Sequence, residues 1–159
     1  MKCYTQLILC VFVLIFISCS ENKTSDHSGH HVHVAPHGGE LIELGEHGSG
    51  FNLELVLHEQ GFLQIYVFDA HVENFVRISA NSIELEIPGE NDSSKTIICE
   101  PIEDPVTGET IGNTSLFTST TRVLNDLPLQ GTIRKLDIME FTYENIEVNF
   151  SGSSKKETE

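Results

Sequence analysis

Basic side chains are scarce in this 159-residue chain, which has nine Lys and Arg against 24 Asp and Glu and a formal charge of −15. A protein that neutralises nucleic-acid phosphates needs clustered Lys and Arg, so we expect no nucleic-acid partner. The same charge disfavours an anionic membrane surface. An acidic surface does attract cations, although diffuse charge usually serves solubility alone.

Cysteine is limited to four residues, and Cys3 and Cys10 fall in the N-terminal apolar region. Cys19 ends that region, so Cys99 is the one cysteine of the rest of the chain and no disulfide framework can form there. Cys99 follows two isoleucines in an apolar strand, which predicts a buried, inert thiol.

Enzyme signatures are also missing. The sequence has no Gly-x-Ser-x-Gly elbow, no His-Glu-x-x-His pair and no phosphate-binding loop. The acidic stretch from Glu100 to Glu109 lacks the spacing of a calcium loop and is interpreted as a surface loop. A metallohydrolase with a metal-bound water is the catalytic alternative, but its only candidate bases, Glu40, Glu46 and Glu73, are typical of solvated strand edges. We therefore predict that the protein is not an enzyme.

The N-terminus has the pattern of a signal peptide over residues 1–18. Met1-Lys2 precedes an unbroken apolar run from Leu7 to Ile17, too short to cross a hydrocarbon layer of roughly 30 Å. Phe16-Ile17-Ser18-Cys19 then resembles the lipobox of bacterial lipoproteins, although Phe16 stands where an aliphatic residue is usual. The resemblance implies cleavage before Cys19 and acylation of that residue, which anchors a chain stably. An ordinary cleaved signal and a retained membrane helix are the alternatives.

The lipobox resemblance also predicts a location. Ser20, rather than an aspartate, follows the cysteine, which by resemblance indicates that the lipoprotein is not held at the inner membrane. We expect a lipid-anchored protein of the bacterial cell envelope, in the outer membrane and facing the periplasm. Cleavage would remove Lys2 and leave eight basic residues against 24 acidic ones, a formal charge of −16.

The rest of the chain divides into three parts. Residues 19–35 are polar, have no hydrophobic periodicity and are interpreted as a lipidated, flexible, His-rich tether. Residues 36–150 are predicted to form one compact domain. Residues 151–159 are interpreted as a disordered tail.

The domain is predicted to be all-β. Apolar and polar residues alternate with a period of two, and Gly, Pro, Asn and Asp separate the alternating segments. No segment has an apolar stripe of helical period. The predicted strands are 40–44, 51–58, 63–67, 83–87, 95–100, 115–120, 132–138 and 145–150. We expect an immunoglobulin-like antiparallel β-sandwich, with an open β-barrel as the alternative.

Histidine is confined to the first half of the chain, where all eight residues lie between His27 and His71. Imidazole is a common ligand of borderline metals, and short His-rich tracts are typical of metal binding. We assign an auxiliary metal-binding role to the tract in the tether; the alternative is a merely polar linker. The auxiliary residues are His27, His30, His31 and His33.

A better-defined site follows from strand register. If residues 59–61 form a hairpin loop, Leu57 faces Leu63 and Phe51 faces Asp69, which places both apolar sets on one face. His47 then lies near Asp69 and His71, and the strand from Glu40 leads His37 to the same region. His58 is predicted to lie at the opposite end. The predicted metal ligands are His37, His47, Asp69 and His71.

The alternative is that these are separate loop residues, with Asp69 closing a turn. The Gly38-Gly39 pair after His37 permits close backbone approach or a positive φ. Outside the signal, Met139 is the one thioether and Cys99 is expected to be buried. Imidazole and carboxylate suit borderline divalent ions, so we expect zinc or copper(II) rather than copper(I).

Two segments, Pro36–His47 and Tyr66–Glu73, resemble a small bacterial extracytoplasmic domain found in lipoproteins and in periplasmic adaptor proteins of heavy-metal efflux systems. The His-Gly-Gly and Asp-x-His segments carry the resemblance, which is clearest over residues 36–80. It implies metal homeostasis or efflux, with a metal efflux or uptake complex as partner. The alternative function is a non-catalytic adaptor β-sandwich that binds a protein, with incidental histidines.

Overall fold

The computed structural model of the protein describes residues 33–89, 91 and 93–152, which belong to one compact unit. Within them, eight strands and one 3₁₀ turn follow each other along the chain, and no helix is long and apolar enough to cross a membrane. The strands are β1 (Glu40–Leu44), β2 (Phe51–Leu57), β3 (Phe62–Asp69), β4 (Ile83–Pro88), β5 (Ser94–Pro101), β6 (Leu116–Arg122), β7 (Leu129–Ile138) and β8 (Phe141–Phe150). The 3₁₀ turn is Leu124–Asp126. The predicted signal peptide, Cys19, His27, His30, His31 and the end of the tail lie outside the described residues.

All eight strands join one antiparallel sheet in the order β1-β2-β3-β6-β5-β4-β7-β8. The two edge strands, β1 and β8, lie close together. Ser151, directly after β8, donates hydrogen bonds from its backbone N–H and its hydroxyl to Oε1 of Glu40 in β1. The all-β, antiparallel prediction is therefore confirmed. A single sheet whose edges nearly meet corresponds to the open-barrel alternative more closely than to two separate layers.

The alternating pattern forms strands because one face of each strand is buried. Leu53, Leu55, Leu63, Ile65 and Val67 are fully or almost fully buried in the core. The register of β2 and β3 is the predicted one, with Phe51 opposite Asp69 and Leu57 opposite Leu63. A shift by one residue would turn these apolar side chains outward, and their burial therefore fixes the register.

The hairpin turn between β2 and β3 lies where the sequence predicts it. The N–H of His58 donates to the carbonyl of Phe62, and Gly61 has a φ of 87°. Positive φ is readily reached by glycine, which explains its place in the turn. Seven residues of β2 put His58 roughly 20 Å from Phe51, at the opposite end of the hairpin.

Cys99 is the free cysteine of the described residues and lies in the core on β5. Burial raises the pKa of its thiol to about 12. The prediction of a buried thiol is confirmed. This sulfur is not accessible as a metal ligand in the folded domain, because the thiolate is the form that binds metal.

The first prediction concerns this thiol. In the folded protein at pH 8, we expect Cys99 to resist alkylation by iodoacetamide, because little thiolate forms well below a pKa of about 12 and solvent does not reach the sulfur. In urea, the same cysteine should be alkylated completely. Mass spectrometry of the peptide that contains Cys99 measures both, and rapid alkylation without urea would contradict the burial.

Candidate metal-binding site

Strand β2 is unusual because its first five residues are all buried, although a strand normally has one face toward solvent. Leu53 and Leu55 point into the core, so Asn52 and Glu54 lie on the outer face. Glu54 has no exposed surface and Asn52 has almost none. Two polar side chains are therefore buried outside the main core, under segments that precede β1 and follow β3.

The Glu54 carboxylate holds the segment before β1. Its Oε1 accepts hydrogen bonds from the backbone N–H of His37 at 2.8 Å and of Gly39 at 3.0 Å. Its Oε2 lies 2.7 Å from Nδ1 of His37. A carboxylate only accepts, so Nδ1 carries the proton of this pair. A buried carboxylate is tolerated when such donors surround it.

Both predicted roles of the Gly38-Gly39 pair occur in this segment. Gly38 has a φ of 71°, the left-handed region that favours glycine. Gly39 lies so close to β2 that a Cβ there would collide with the carbonyl oxygen of Leu55. The two glycines thus allow the chain to bend and to pass directly over the strand that carries Glu54.

The His37 ring belongs to an aromatic cluster on the outer face of β3. It stacks on Tyr66 with ring centroids 3.9 Å apart, and Phe75 stacks on Phe68 at 4.7 Å. Burial, and secondarily the negative charge of Glu54, raises the pKa of Tyr66. His37 is therefore fixed on both its ring face and its Nδ1 edge.

Asn52 holds the turn after β3 in a similar way. Its Nδ2 donates to the carbonyl oxygens of Asp69 at 3.0 Å and of Ala70 at 3.2 Å. Within this turn Val72 has a φ of 59°, an unfavourable conformation for a β-branched residue. Strain of this kind persists where surrounding contacts enforce it, and it is concentrated at functional sites. The enforced turn is the one that presents His71.

The Asp69 carboxylate closes the same turn. Oδ1 accepts from the backbone N–H of Glu73 at 2.9 Å and of His71 at 3.3 Å, and Oδ2 accepts from Nδ2 of Asn74 at 2.6 Å. Burial alone would raise the pKa of Asp69, but these hydrogen bonds outweigh it and hold the pKa below its ordinary value. The carboxylate is thus used in the turn, as the alternative reading of the sequence proposed.

Three histidines meet at this end of the hairpin. The ring centroid of His33 lies 5.3 Å from that of His47 and 6.1 Å from that of His71. Nε2 of His33 is buried and has no hydrogen-bond partner within the described part of the chain. Such an atom costs about 1–3 kcal/mol and calls for a partner such as a water or an ion.

His47 lies in the loop between β1 and β2, and Nδ1 of its ring is 2.8 Å from Oε1 of Glu43. The carboxylate accepts, which places the ring proton on Nδ1 and the lone pair on Nε2. A carboxylate on the other ring nitrogen is the usual arrangement for a metal-ligating histidine, because it orients the ring and raises its basicity.

The distances from the His33 ring to the other two rings are close to those between imidazoles that bind one metal ion. Imidazoles on one tetrahedral zinc have ring centroids about 5 Å apart, which follows from Zn–N bonds of about 2.0–2.1 Å. The measured 5.3 and 6.1 Å are slightly wider. As the side chains lie, residues 33–89, 91 and 93–152 contain no group of three or more His, Cys, Asp or Glu that could hold a metal ion. A metal shared by these three histidines would require the His71 ring to move closer to the His33 ring.

The structure divides the predicted ligands between two places. His47 and His71 each lie beside His33, a residue that the sequence assigned to the tether as an auxiliary ligand. His37 instead binds Glu54 and stacks on Tyr66.

Sequence reasoning missed Asn52, Glu54 and Glu43 as supporting residues. Asn52 and Glu54 occupy the polar positions of an alternating strand, where solvent exposure is the ordinary expectation. The signal that could have identified them is the Gly38-Gly39 pair, because adjacent glycines indicate that another segment packs closely against the backbone there.

Comparison with known protein families, with curated proteins and with solved structures finds no match to this chain. The resemblance to metal-efflux domains therefore remains a prediction.

The second prediction concerns Asp69→Asn. The amide nitrogen of the new side chain would face Nδ2 of Asn74, and the hydrogen bond between the two side chains would be lost. Because the site is only partly buried, we expect a loss of stability at pH 7 of less than about 1 kcal/mol. A lowered pKa contributes stability above the ordinary value of 3.8, and that contribution is lost as pH falls through the folded value. Urea unfolding should show the difference shrinking below pH 3.8; a difference independent of pH would contradict the assignment.

Proposed function

We propose that this protein binds a divalent transition metal, zinc or copper(II), through the histidine cluster of His33, His47 and His71. The observation that carries the proposal is that the rings of His47 and His71, from separate segments, both lie beside the His33 ring, whose buried Nε2 has no hydrogen-bond partner among the described residues. The formal charge of −15 supports it, since an acidic protein attracts cations.

The ligand chemistry favours borderline metals over soft ones. Imidazole nitrogens suit zinc and copper(II), whereas copper(I) prefers thiolate and thioether. Cys99, the one thiol of the described residues, is buried in the core and is therefore not available as a metal ligand. Both carboxylate oxygens of Asp69 accept hydrogen bonds within its turn. The proposed ligand set is therefore the three histidines, with solvent or a partner's side chain as the fourth ligand.

The cellular role belongs to the same proposal. We propose a lipoprotein anchored through Cys19, in the cell envelope, that buffers a metal or delivers it to an efflux or uptake complex. The lipobox and the resemblance of residues 36–80 to efflux-associated domains support this role. The tract of His27, His30 and His31 would act as an auxiliary collector next to His33.

A loop at residues 102–113 favours protein docking as a second candidate function. Val106 is 94 % exposed and Ile111 is 65 % exposed, although Glu109 fixes the base of the loop by accepting hydrogen bonds from Ser115. Exposed apolar side chains mark an interaction site where they form a contiguous patch, and docking through this loop would need Val106 and Ile111 to act together. This is the adaptor function, and in that case the histidines would be incidental.

The third prediction tests metal binding. In a chain with His27, His30 and His31 replaced by alanine, calorimetric titration with zinc or copper(II) should give a Kd below about 10 μM, or roughly −7 kcal/mol. His33→Ala or His71→Ala should weaken binding at least about 10-fold, because each removes a ligand. Affinity should also fall in acid, since protons compete for imidazole.

His58→Ala is the matched control. His58 is also a loop histidine, with its Nδ1 bonded to the backbone N–H of Gln60, but it lies at the opposite end of the β2–β3 hairpin. Its removal should leave the affinity unchanged. No binding tighter than about 10 μM, or equal losses in His58→Ala and His71→Ala, would contradict the proposed site and favour the adaptor function.

A further inference from the structure

One carboxylate of the described residues has no exposed surface although it lies on an outer sheet face. This is Glu54, and the His37 side chain that it binds lies 17 positions earlier in the chain. Replacing both partners of a buried hydrogen bond by apolar groups can be nearly neutral or stabilising. The pair is therefore poorly explained by stability alone, and its geometric effect is the more informative property.

That effect is to fix the path of the chain before β1. Glu54 binds the segment at two backbone N–H groups, those of His37 and Gly39. His33 lies four residues before His37, so the chain lets it move at most about 14 Å from that anchor. Pro36 restricts the same stretch further, because its ring fixes φ. The anchor on β2 thus limits where the His33 ring can lie.

We propose that Glu54 is a positioning residue that places His33 in the metal site. This inference rests on the proposed metal-binding function. Glu54 touches no metal ligand itself; it acts through the backbone of the segment from His33 to Gly39. Without it, only ring stacking on Tyr66 would hold His37, and the first residue held by strand pairing would be Glu40 at the start of β1, seven residues from His33. His33 would then be a mobile ligand, and the site would keep His47 and His71.

The fourth prediction is measured in the same chain with His27, His30 and His31 replaced by alanine. Glu54→Ala should weaken zinc binding about 10-fold, the lower end of what loss of an orienting partner costs a metal site. Combined with His33→Ala, it should cause no further loss, because Glu54 acts only through His33. Glu54→Gln should restore part of the affinity, since its Oε1 still accepts the two backbone hydrogen bonds.

Glu109→Ala is the matched control for general destabilisation. Glu109 is also a buried carboxylate that accepts a backbone hydrogen bond, from Ser115, but it lies at the base of another loop. This variant should lose stability and keep its zinc affinity. Amide hydrogen exchange should show rapid exchange at His37 and Gly39 in Glu54→Ala, with core strands still protected. If Glu54→Ala does not fold, Glu54→Gln is used in the same double-mutant cycle, with a smaller loss expected.

The outcomes separate the two proposals. Absence of both zinc and copper(II) binding by the parent chain contradicts the proposed function, on which the positioning role rests. Zinc binding that is insensitive to Glu54, that falls equally in Glu109→Ala, or that falls further when Glu54→Ala is added to His33→Ala contradicts the positioning role alone. Loss of affinity confined to chains that retain His33 supports both.

Discussion

The candidate site depends on one buried carboxylate. Glu54 lies on the outer face of β2, where an unpaired charge would be strongly destabilising, and the donors that satisfy it all belong to His37 and Gly39. The segment before β1 must therefore cover this face for the charge to be tolerated. The same segment carries the His37 ring onto Tyr66 and the His33 ring to those of His47 and His71.

Much of the local structure could be predicted from the sequence because burial of one strand face leaves a pattern of period two. Leu53 and Leu55 on β2, with Ile65 and Val67 on β3, determine the register, and the register places His47 and His71 at one end and His58 at the other. This part of the site is therefore a consequence of core packing. The turn role of Asp69 was one of two open alternatives, since a carboxylate there suits either a ligand or a turn.

The remaining features are invisible to periodicity. A polar residue at an outward position predicts solvent exposure, and nothing in β2 itself reveals that Glu54 has a partner 17 residues earlier. For the same reason His33, in a polar stretch without periodicity, was interpreted as tether. Strand order is also non-local: β3 pairs with β6 and β4 with β7, which alternation within each strand does not specify. The choice between two layers and one sheet depends on those pairings.

Each of the three histidines reaches the cluster on a different loop, and each loop is held by a different polar contact. Glu54 anchors the segment of His33, Glu43 binds His47, and Asn52 holds the turn of His71. Asn52 and Glu54 lie two positions apart on one strand, a separation of roughly 7 Å. The strand is rigid because its apolar residues are in the core, so it fixes two of the three loops relative to each other. Two loops that would otherwise move independently are thus held by the same β-strand. In this way a site assembled from loops can acquire the precision that metal coordination needs.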